Sequence, residues 1–489
     1  MAQTTPSTPF RNLVGGKLLD AVGGATREIV NPATGATIAT VPEGDGADVQ
    51  RAVEAALAAR REWNATTPGE RATALLKLAD TMDAATDELA QLESANTGKP
   101  LPMAKDEVTA SADLLRFFAG AARTLEGKSA GEYIKGYTSM VRREPIGIVA
   151  GIAPWNYPLN MAAWKMGPAL AAGNVQILKP AEGTPLSLLR FAELAHASGA
   201  LPDGALGVVT GDGPNVGAKL VENRAFGLVS LTGDVRTGKT IARAAADNLT
   251  RLHLELGGKA PIVVLDDADL EQTVAAIRVA GYWNSGQDCT AGTRIIATRG
   301  VYDRLLERLV PAIESLKVGD PAEGDRIEMG PVISAKQQQR AFGFLERATA
   351  AGARIVTGGG GDAIGPAGGS FVAPTLVADV AQDSEIVQDE VFGPVVTIQR
   401  VDDYEQALAY ANDSRYGLAA SVFTESVGRA MDAARQLQFG CVWVNDHLTP
   451  ITSEMPHGGF KESGYGKDMS TYSLEDYTQI KHVAVRIGL

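Results

Sequence analysis

Residues 146–153, IGIVAGIA, decide the fold class of this 489-residue chain. They form a short apolar run of the kind that makes a buried strand, and a helical stretch follows them. The same order of apolar strand and following helix recurs at residues 174–178, 205–209 and 227–231. Strands that alternate with helices build a parallel sheet with helices on both faces. The sequence therefore predicts an α/β fold.

The segments on either side extend this pattern. Ala, Leu and Glu at helical spacing predict three earlier helices, at residues 49–63, 69–97 and about 103–125. Two short β-like segments follow, at residues 132–134 and 138–143, and a second strand–helix series runs from about residue 261 to 446. Residues 358–369 are rich in glycine, which predicts an exposed connection.

Composition excludes several classes of protein. Hydrophobic residues make up 45% of the chain and charged residues 21%, as in an ordinary globular protein. The net charge of −13 makes nucleic acid and anionic membranes poor partners. Two cysteines, Cys289 and Cys441, cannot build a disulfide framework. The chain has no apolar run of about 18 residues and no signal-like N-terminus, so we expect a cytoplasmic protein without a membrane span.

Two motifs carry the chemistry. Cys289 lies in the polar, small-residue turn GQDCT, and Glu255 precedes a double glycine in ELGGK. Alone, such a cysteine is more often a small buried hydrophobe, and such a glutamate usually marks a strand end and a turn. Together, a thiol that can form a covalent adduct and a carboxylate that can activate water are the parts needed to make and hydrolyse a thioester.

Polar residues at the ends of other predicted strands fit a nucleotide-dependent reaction. Asn156, in PWNYP, can donate a hydrogen bond to a developing oxyanion. Lys179 and Glu182 follow the strand at 174–178, where a cation and a carboxylate suit the hydroxyls of a ribose. The glycine-containing segment 232–238 follows another strand and opens a helix, which suits a pyrophosphate. Asp234 within it would disfavour a phosphate unless it acts as a helix cap.

With these motifs the chain resembles the NAD(P)-dependent aldehyde dehydrogenase superfamily, from about residue 10 to its end. The resemblance implies a Rossmann-like NAD-binding domain (1–125 and 145–256), an α/β catalytic domain (257–465) and a small β oligomerisation flap (126–144 and 466–489). It also implies that Cys289 is the nucleophile, that Glu255 is the base, and that Asn156 forms the oxyanion hole with the Cys289 N–H.

The resemblance implies NAD as cofactor, because the Glu182 carboxylate would repel the 2′-phosphate of NADP. Glu390 would bind the nicotinamide ribose, and Phe392 would pack beside the nicotinamide. The full set of implied cofactor contacts is Ala153, Pro154, Trp155, Lys179, Glu182, Gly213, Thr232, Gly233, Asp234, Leu256, Glu390 and Phe392. Lys165 matches a lysine that relays protons in some relatives. The glutamate that is the usual partner of that lysine is predicted to be replaced by Thr471 in this chain.

The substrate is predicted to be a short ω-aminoaldehyde such as 4-aminobutanal. Tyr157, Trp164 and Trp283 would form an aromatic cage, which attracts an alkylammonium group by cation–π contacts. Asp288 would pair with the amine, with Glu107 as a second carboxylate. His457 would also line the site. The motifs at 281–289, 455–459 and 464–469 look most like those of γ-aminobutyraldehyde dehydrogenases, which implies a role in polyamine degradation.

Other functions stay open. Betaine aldehyde dehydrogenases share the aromatic cage, and a succinic semialdehyde dehydrogenase is a further alternative. In a CoA-acylating or phosphorylating dehydrogenase, a thiol or phosphate would replace water; Glu255 argues against that. A non-catalytic relative would usually lack Cys289 or Glu255. The five scattered histidines imply no metal, and the flap implies a homo-oligomer, a dimer or a tetramer.

Overall fold

The computed structural model describes residues 9–127, 130–360, 364–448 and 451–488. The strands are β1 (Asn12–Val14), β2 (Lys17–Leu19), β3 (Thr26–Val30), β4 (Thr37–Pro42), β5 (Gly131–Ile134), β6 (Tyr137–Pro145), β7 (Ile148–Ile152), β8 (Val175–Lys179), β9 (Leu206–Val208), β10 (Phe226–Thr232), β11 (Arg251–Glu255), β12 (Ala260–Val264), β13 (Gly292–Thr298), β14 (Arg354–Thr357), β15 (Thr375–Ala378), β16 (Val395–Val401), β17 (Tyr416–Gly417), β18 (Ala419–Phe423), β19 (Cys441–Val444), β20 (Phe460–Lys461), β21 (Gly464–Tyr465) and β22 (Thr478–Arg486).

The α-helices alternate with these strands through most of the chain. They are α1 (Gly46–Asn64), α2 (Pro68–Ala84), α3 (Thr86–Thr97), α4 (Leu101–Ala122), α5 (Pro158–Ala171), α6 (Leu186–Ser198), α7 (Ala218–Glu222), α8 (Val235–Ala246), α9 (Leu270–Tyr282), α10 (Arg299–Glu314), α11 (Ala335–Ala350), α12 (Glu385–Gln388), α13 (Tyr404–Asn412), α14 (Val427–Gln436) and α15 (Ser470–Asp476). No helix in the described part of the chain is long and apolar enough to span a membrane.

The first sheet has eight strands in the order β2-β1-β9-β8-β7-β10-β11-β21. Its central strands are parallel and almost wholly buried, as the apolar runs predict. The edges differ from the prediction of a parallel sheet. A tight turn at Gly15 and Gly16, both with positive φ, folds β1 and β2 into an antiparallel hairpin at one edge. β21 pairs antiparallel with β11 at the other edge, although the predicted first domain ends at residue 256.

The second sheet has seven strands in the order β14-β15-β16-β13-β12-β18-β19, parallel except at β14. Its apolar side chains pack against α9 and α10 on one face and α13 and α14 on the other. The apolar residues from Cys441 to Val444 predict a strand in the core, and that prediction is wrong in part. The stretch is a strand, β19, but it lies at the sheet edge with half-buried side chains. In the glycine-rich connection, residues 358–360 and 364–369 are mostly exposed, whereas 361–363 lie outside the described residues.

A third, antiparallel sheet has the order β22-β6-β5. β22 pairs with β6 along nine residues, from Thr478 opposite Pro145 to Arg486 opposite Tyr137. This long pairing joins the C-terminal segment to the predicted β-like segments near residue 140. Tyr133, Ile134 and Ile480 leave large apolar side chains exposed on this sheet.

Helix ends explain where the predicted helices begin and divide. Thr67 and Glu70 form a capping box at the start of α2, with Pro68 at the first helical position. The predicted helix at 69–97 is divided at Ala85, whose φ of −108° and ψ of 14° break it into α2 and α3. The helix α5, directly after β7, is buried at every residue. It therefore holds the preceding loop, which carries Asn156, against the core.

Candidate active site

One cavity of about 2090 Å³ collects nearly all of the predicted site residues. The loops at the carboxyl ends of β7, β8 and β10 line it together with the segment 283–290, as expected for a ligand site in an open α/β sheet. Every predicted cofactor and substrate residue lines the cavity, and so do Cys289 and Asn156. Glu255 and Lys165 do not line it; they are buried behind it.

The loop before Cys289 is held by its own polar side chains. After α9, a 3₁₀ turn (Trp283–Gly286) carries Asn284 and Ser285 in the left-handed region, with φ of 49° and 57°. The Asn284 side chain donates to the Asn156 carbonyl oxygen at 3.0 Å, and so it ties the two loops together. A Cβ added at Gly258 would overlap the Cys289 carbonyl oxygen. The double glycine therefore allows the close backbone approach that the sequence predicts.

The Cys289 thiol is neutral in this setting. Burial raises its pKa well above the usual value, and the Asp288 and Glu255 carboxylates raise the pKa further. The surroundings of Cys289 therefore do not favour ionisation of the thiol. Activation of the thiol requires a base.

Glu255 lies at the carboxyl end of β11 and is buried, with 4% of its surface exposed. Burial raises the pKa of Glu255, and His457, whose Nδ1 lies 3.7 Å from Oε2, opposes that rise. Within the described residues, neither carboxylate oxygen has a hydrogen-bond partner. A Cβ at Gly458 would overlap Oε1. Glu255 is thus a confined carboxylate with unused acceptor capacity, which suits a general base.

The carboxylate partner of Lys165 is Asp468, which was not among the site residues predicted from the sequence. Lys165 Nζ donates to Thr232 Oγ1 at 2.7 Å and lies 3.6 Å from Asp468 Oδ2, with both charged side chains fully buried. The interpretation that Thr471 takes the partner's place is wrong, because Thr471 lies exposed in the first turn of α15. The backbone turns sharply at Met469, with φ of 62°, and the carboxylate of the preceding residue, Asp468, points inward. The acidic residue in the motif at 464–469 was the available signal.

Asn156 is held by a cluster that includes Lys99, a residue that was not among the predicted site residues either. The Asn156 amide donates to the Gln287 carbonyl oxygen at 3.0 Å. Lys99 Nζ donates to the Asn156 carbonyl oxygen at 2.9 Å and pairs with Glu107. Glu107 Oε1 also accepts from the Asn160 N–H in the first turn of α5 at 3.3 Å. Glu107 is therefore engaged inside the protein, which argues against its predicted role as a partner of the substrate amine.

The cofactor half of the cavity has a nucleotide-like set of groups. Lys179 is buried at the end of β8, and its Nζ lies 3.8 Å from Oε2 of the half-exposed Glu182. The Trp155 and Phe392 rings meet edge to face at 5.1 Å. Glu390 Oε1 accepts from the Gly258 N–H at 2.9 Å, and burial raises the pKa of Glu390 to about 7.

Asp234 is the N-cap of α8. Its side chain accepts from the Thr237 N–H at 2.9 Å and from the Thr237 hydroxyl at 2.7 Å. The carboxylate is thus turned into its own helix, as the capping alternative predicts. Arg236 in the first turn of α8 and Arg243 in its last turn also line the cavity. The helix N-terminus therefore remains suited to an anionic group.

The other half of the cavity is acidic and aromatic. We define this substrate half as the lining residues from α4 and from segments 156–164, 279–290, 448 and 451–457. Asp288 Oδ2 accepts from the Tyr157 hydroxyl at 2.7 Å, while Oδ1 accepts from the Thr290 N–H at 2.7 Å and its hydroxyl at 2.6 Å. The Trp164 and His457 rings meet at 5.0 Å. The described lining residues of this half include no Lys or Arg; their carboxylates are Asp106, Glu107, Asp113, Asp288 and Glu454.

The fold and the cavity together define a class of protein. It is an α/β protein with a thiol, a carboxylate and an amide donor at one part of the cavity, and with a helix N-terminus suited to an anion at another. A family model described as "Aldehyde dehydrogenase family" matches residues 20–483. The chain belongs to that family, and the resemblance seen in the motifs is confirmed.

Solved structures agree with this assignment. PnpE from Pseudomonas sp. WBC-3 is 38% identical, with a TM-score of 0.95 over 99% of this chain and 98% of that one. An aldehyde dehydrogenase from Bacillus cereus, solved with NAD⁺, is 39% identical, with a TM-score of 0.95 over 98% and 97%. A betaine aldehyde dehydrogenase variant from Staphylococcus aureus, also solved with NAD⁺, is 37% identical, with a TM-score of 0.94 over 98% and 96%.

Proposed function

We propose that this protein is an NAD-dependent aldehyde dehydrogenase that oxidises a short ω-aminoaldehyde, such as 4-aminobutanal, to the amino acid. The observation that carries the substrate is the charge of the substrate half. Its described lining residues include three aromatic side chains, no Lys or Arg, and four carboxylates besides Glu107, which pairs with Lys99. Such a surface favours an alkylammonium group by Coulomb attraction and by cation–π contacts.

Three residues carry the covalent chemistry. Glu255 takes the thiol proton through a water, and Cys289 Sγ attacks the aldehyde carbon. The Asn156 amide and the Cys289 N–H donate to the resulting oxyanion. NAD held in the cofactor half would supply the hydride acceptor for oxidation of the Cys289 adduct to a thioester. Once Glu255 has passed the first proton on to solvent, it takes a proton from a second water, which attacks the thioester; the acid is released, and the Cys289 sulfur leaves as a thiolate.

The cofactor half fits NAD. The N-terminus of α8, with Arg236 in its first turn, suits the pyrophosphate. Lys179 and Glu182 suit a ribose, and the half-exposed Glu182 carboxylate would repel a 2′-phosphate, which favours NAD over NADP. Glu390, tied to the loop that follows Glu255, is the carboxylate proposed for the other ribose.

Asp288 is the carboxylate proposed to meet the substrate amine, because it precedes the nucleophile and lines the cavity. Three donors from Tyr157 and Thr290 already bind it. A carboxylate offers about four acceptor positions, so room for one more donor remains. Asp106, Asp113 and Glu454 are exposed, and they would attract the cation towards the opening.

Betaine aldehyde is the close alternative, because its quaternary ammonium suits the same acidic, aromatic surface. One of the solved relatives named above is a betaine aldehyde dehydrogenase. Succinic semialdehyde is disfavoured, because the carboxylates of the substrate half would repel its own carboxylate.

We also propose that the protein is a homo-oligomer through the three-stranded sheet, where Tyr133, Ile134 and Ile480 are exposed.

The test is a NADH absorbance assay with 4-aminobutanal, betaine aldehyde, butanal and succinic semialdehyde, with NAD or NADP and without CoA. The highest kcat/KM is expected for 4-aminobutanal with NAD, together with formation of the free acid. A preference for succinic semialdehyde, or a requirement for CoA, would contradict the proposal. No activity with any aldehyde would favour a non-catalytic relative.

A further inference from the structure

A group of buried charges lies behind Glu255, and the proposed mechanism does not yet use its histidine. His253 is two residues before Glu255 on β11, so both side chains project from the same face of the strand. His253 is 1% exposed. Its Nε2 lies 3.2 Å from Asp468 Oδ1, and its Nδ1 lies 3.5 Å from Asp476 Oδ2.

Each charged neighbour of His253 comes from a different part of the fold. Lys165 Nζ, on α5, lies 3.6 Å from the other carboxylate oxygen of Asp468, Oδ2. Asp476 and Tyr477 come from the end of α15, and the Tyr477 ring centroid lies 6.0 Å from that of His253. His457 contacts Glu255 itself. A Cβ at Gly466 would come within 3.0 Å of the His253 ring, so glycine there lets the loop close over the imidazole.

The charges favour an imidazolium. Burial alone would lower the pKa of His253, but Asp468 and Asp476 together raise it to about 9. Asp468 is affected in the opposite way: burial would raise its pKa, but Lys165 and His253 lower it to about 2. At neutral pH His253 is therefore an imidazolium, and the Asp468 carboxylate contacts both that ring and the Lys165 side chain.

We propose that His253 is a positioning residue for the reaction: a fixed positive charge that compensates Asp468 and thereby lets Glu255 stay ionised as the base. This inference rests on the proposed function, in which Glu255 activates the hydrolytic water. Without the His253 charge, two carboxylates would share a buried region with fewer compensating partners: Lys165 beside Asp468 and His457 beside Glu255. Like charges in such a region oppose one another's ionisation.

The test compares the pH dependence of thioester hydrolysis, followed as the slow phase of NADH formation after the burst, in four proteins. His253→Asn is expected to move the acid limb upward by about one pH unit, because the pKa of Glu255 rises. Asp468→Asn is expected to move it downward, and the double variant to return it close to the wild-type position. Tyr477→Phe is the matched control: it alters the packing against the imidazole but no charge, and the limb should stay in place.

The outcomes separate this inference from the proposed function. If the wild type forms no NADH from any aldehyde, or if Glu255→Gln leaves hydrolysis unchanged, the proposed function fails. If the wild type is active but His253→Asn lowers the rate equally at every pH, His253 serves packing only and the inference is overturned. A direct measurement on the wild type avoids any folding defect: imidazole NMR, assigned with the His253→Asn spectrum, should find His253 as imidazolium at pH 7.5. A neutral ring there overturns the inference.

Discussion

Asp288→Asn tests whether a carboxylate beside the nucleophile recognises the substrate amine. The replacement is nearly isosteric and can keep the local bonds. The asparagine Oδ1 can still accept from the Thr290 N–H and hydroxyl, and its amide can donate to the Tyr157 oxygen. The change therefore removes one negative charge with little else.

The expected magnitude follows from the position of Asp288. Two unit charges 4 Å apart attract by about 4 kcal/mol at an effective dielectric constant of about 20. Asp288 is half-buried, and its charge is shared among three donors, so we expect about 1–2 kcal/mol of lost binding. That corresponds to a rise of about 5–30-fold in KM for 4-aminobutanal.

The assay measures steady-state KM for 4-aminobutanal and for butanal, which has similar length and no charge. Butanal should keep its KM, and the ratio of the two KM values is the readout. A second consequence is independent of substrate. Asp288 helps to raise the pKa of Cys289, so the variant's thiol should react faster with iodoacetamide at fixed pH. Equal KM changes for both aldehydes would refute amine recognition by Asp288.

Four further predictions concern the same cavity. Cys289→Ala should abolish aldehyde oxidation and leave NAD binding, measured by calorimetry, nearly unchanged, whereas Cys441→Ala, on an edge strand, should retain activity; an active Cys289→Ala protein would sink the mechanism. Glu255→Gln should slow both the formation of NADH and the release of the acid in stopped-flow traces, because Glu255 takes the thiol proton first and a proton of the hydrolytic water later; a full-rate burst of NADH would mean that another base activates Cys289. Glu182→Ser should narrow the preference for NAD over NADP in kcat/KM, and a wild-type preference for NADP would contradict the ribose assignment. Lys99→Met leaves buried carboxylates without their cation, so urea unfolding should report a loss of about 3–5 kcal/mol; an unchanged midpoint would mean that the cluster is already neutral.

Much of this fold could be predicted because its signals are local. The apolar runs that became β7, β8 and β10 are continuous in the chain, and each occurs within one or two residues of the prediction. The same holds for Asn156 and Cys289, since each lies in a short motif whose position relative to a strand or helix already determines which end of the sheet it occupies.

Residues whose roles depend on loop closure could not be predicted in this way. Whether Asp468 or position 471 reaches Lys165 depends on a sharp backbone turn at Met469, which propensities do not reveal. Glu107 was predicted to face the substrate because it lies on a helix that lines the cavity. Its pairing with Lys99 joins residues from different elements, and a single sequence does not carry that information.

The uneven charge of the cavity has a consequence for turnover. Under the proposed reaction, an aldehyde without charge at its reacting carbon becomes a carboxylate close to Asp288 and Glu255. Asp288 thus repels the new carboxylate, and Glu255 does so once it has released its proton, which favours departure of the product. Feedback by the accumulated amino acid should accordingly be weak, and it should strengthen as added salt screens the repulsion.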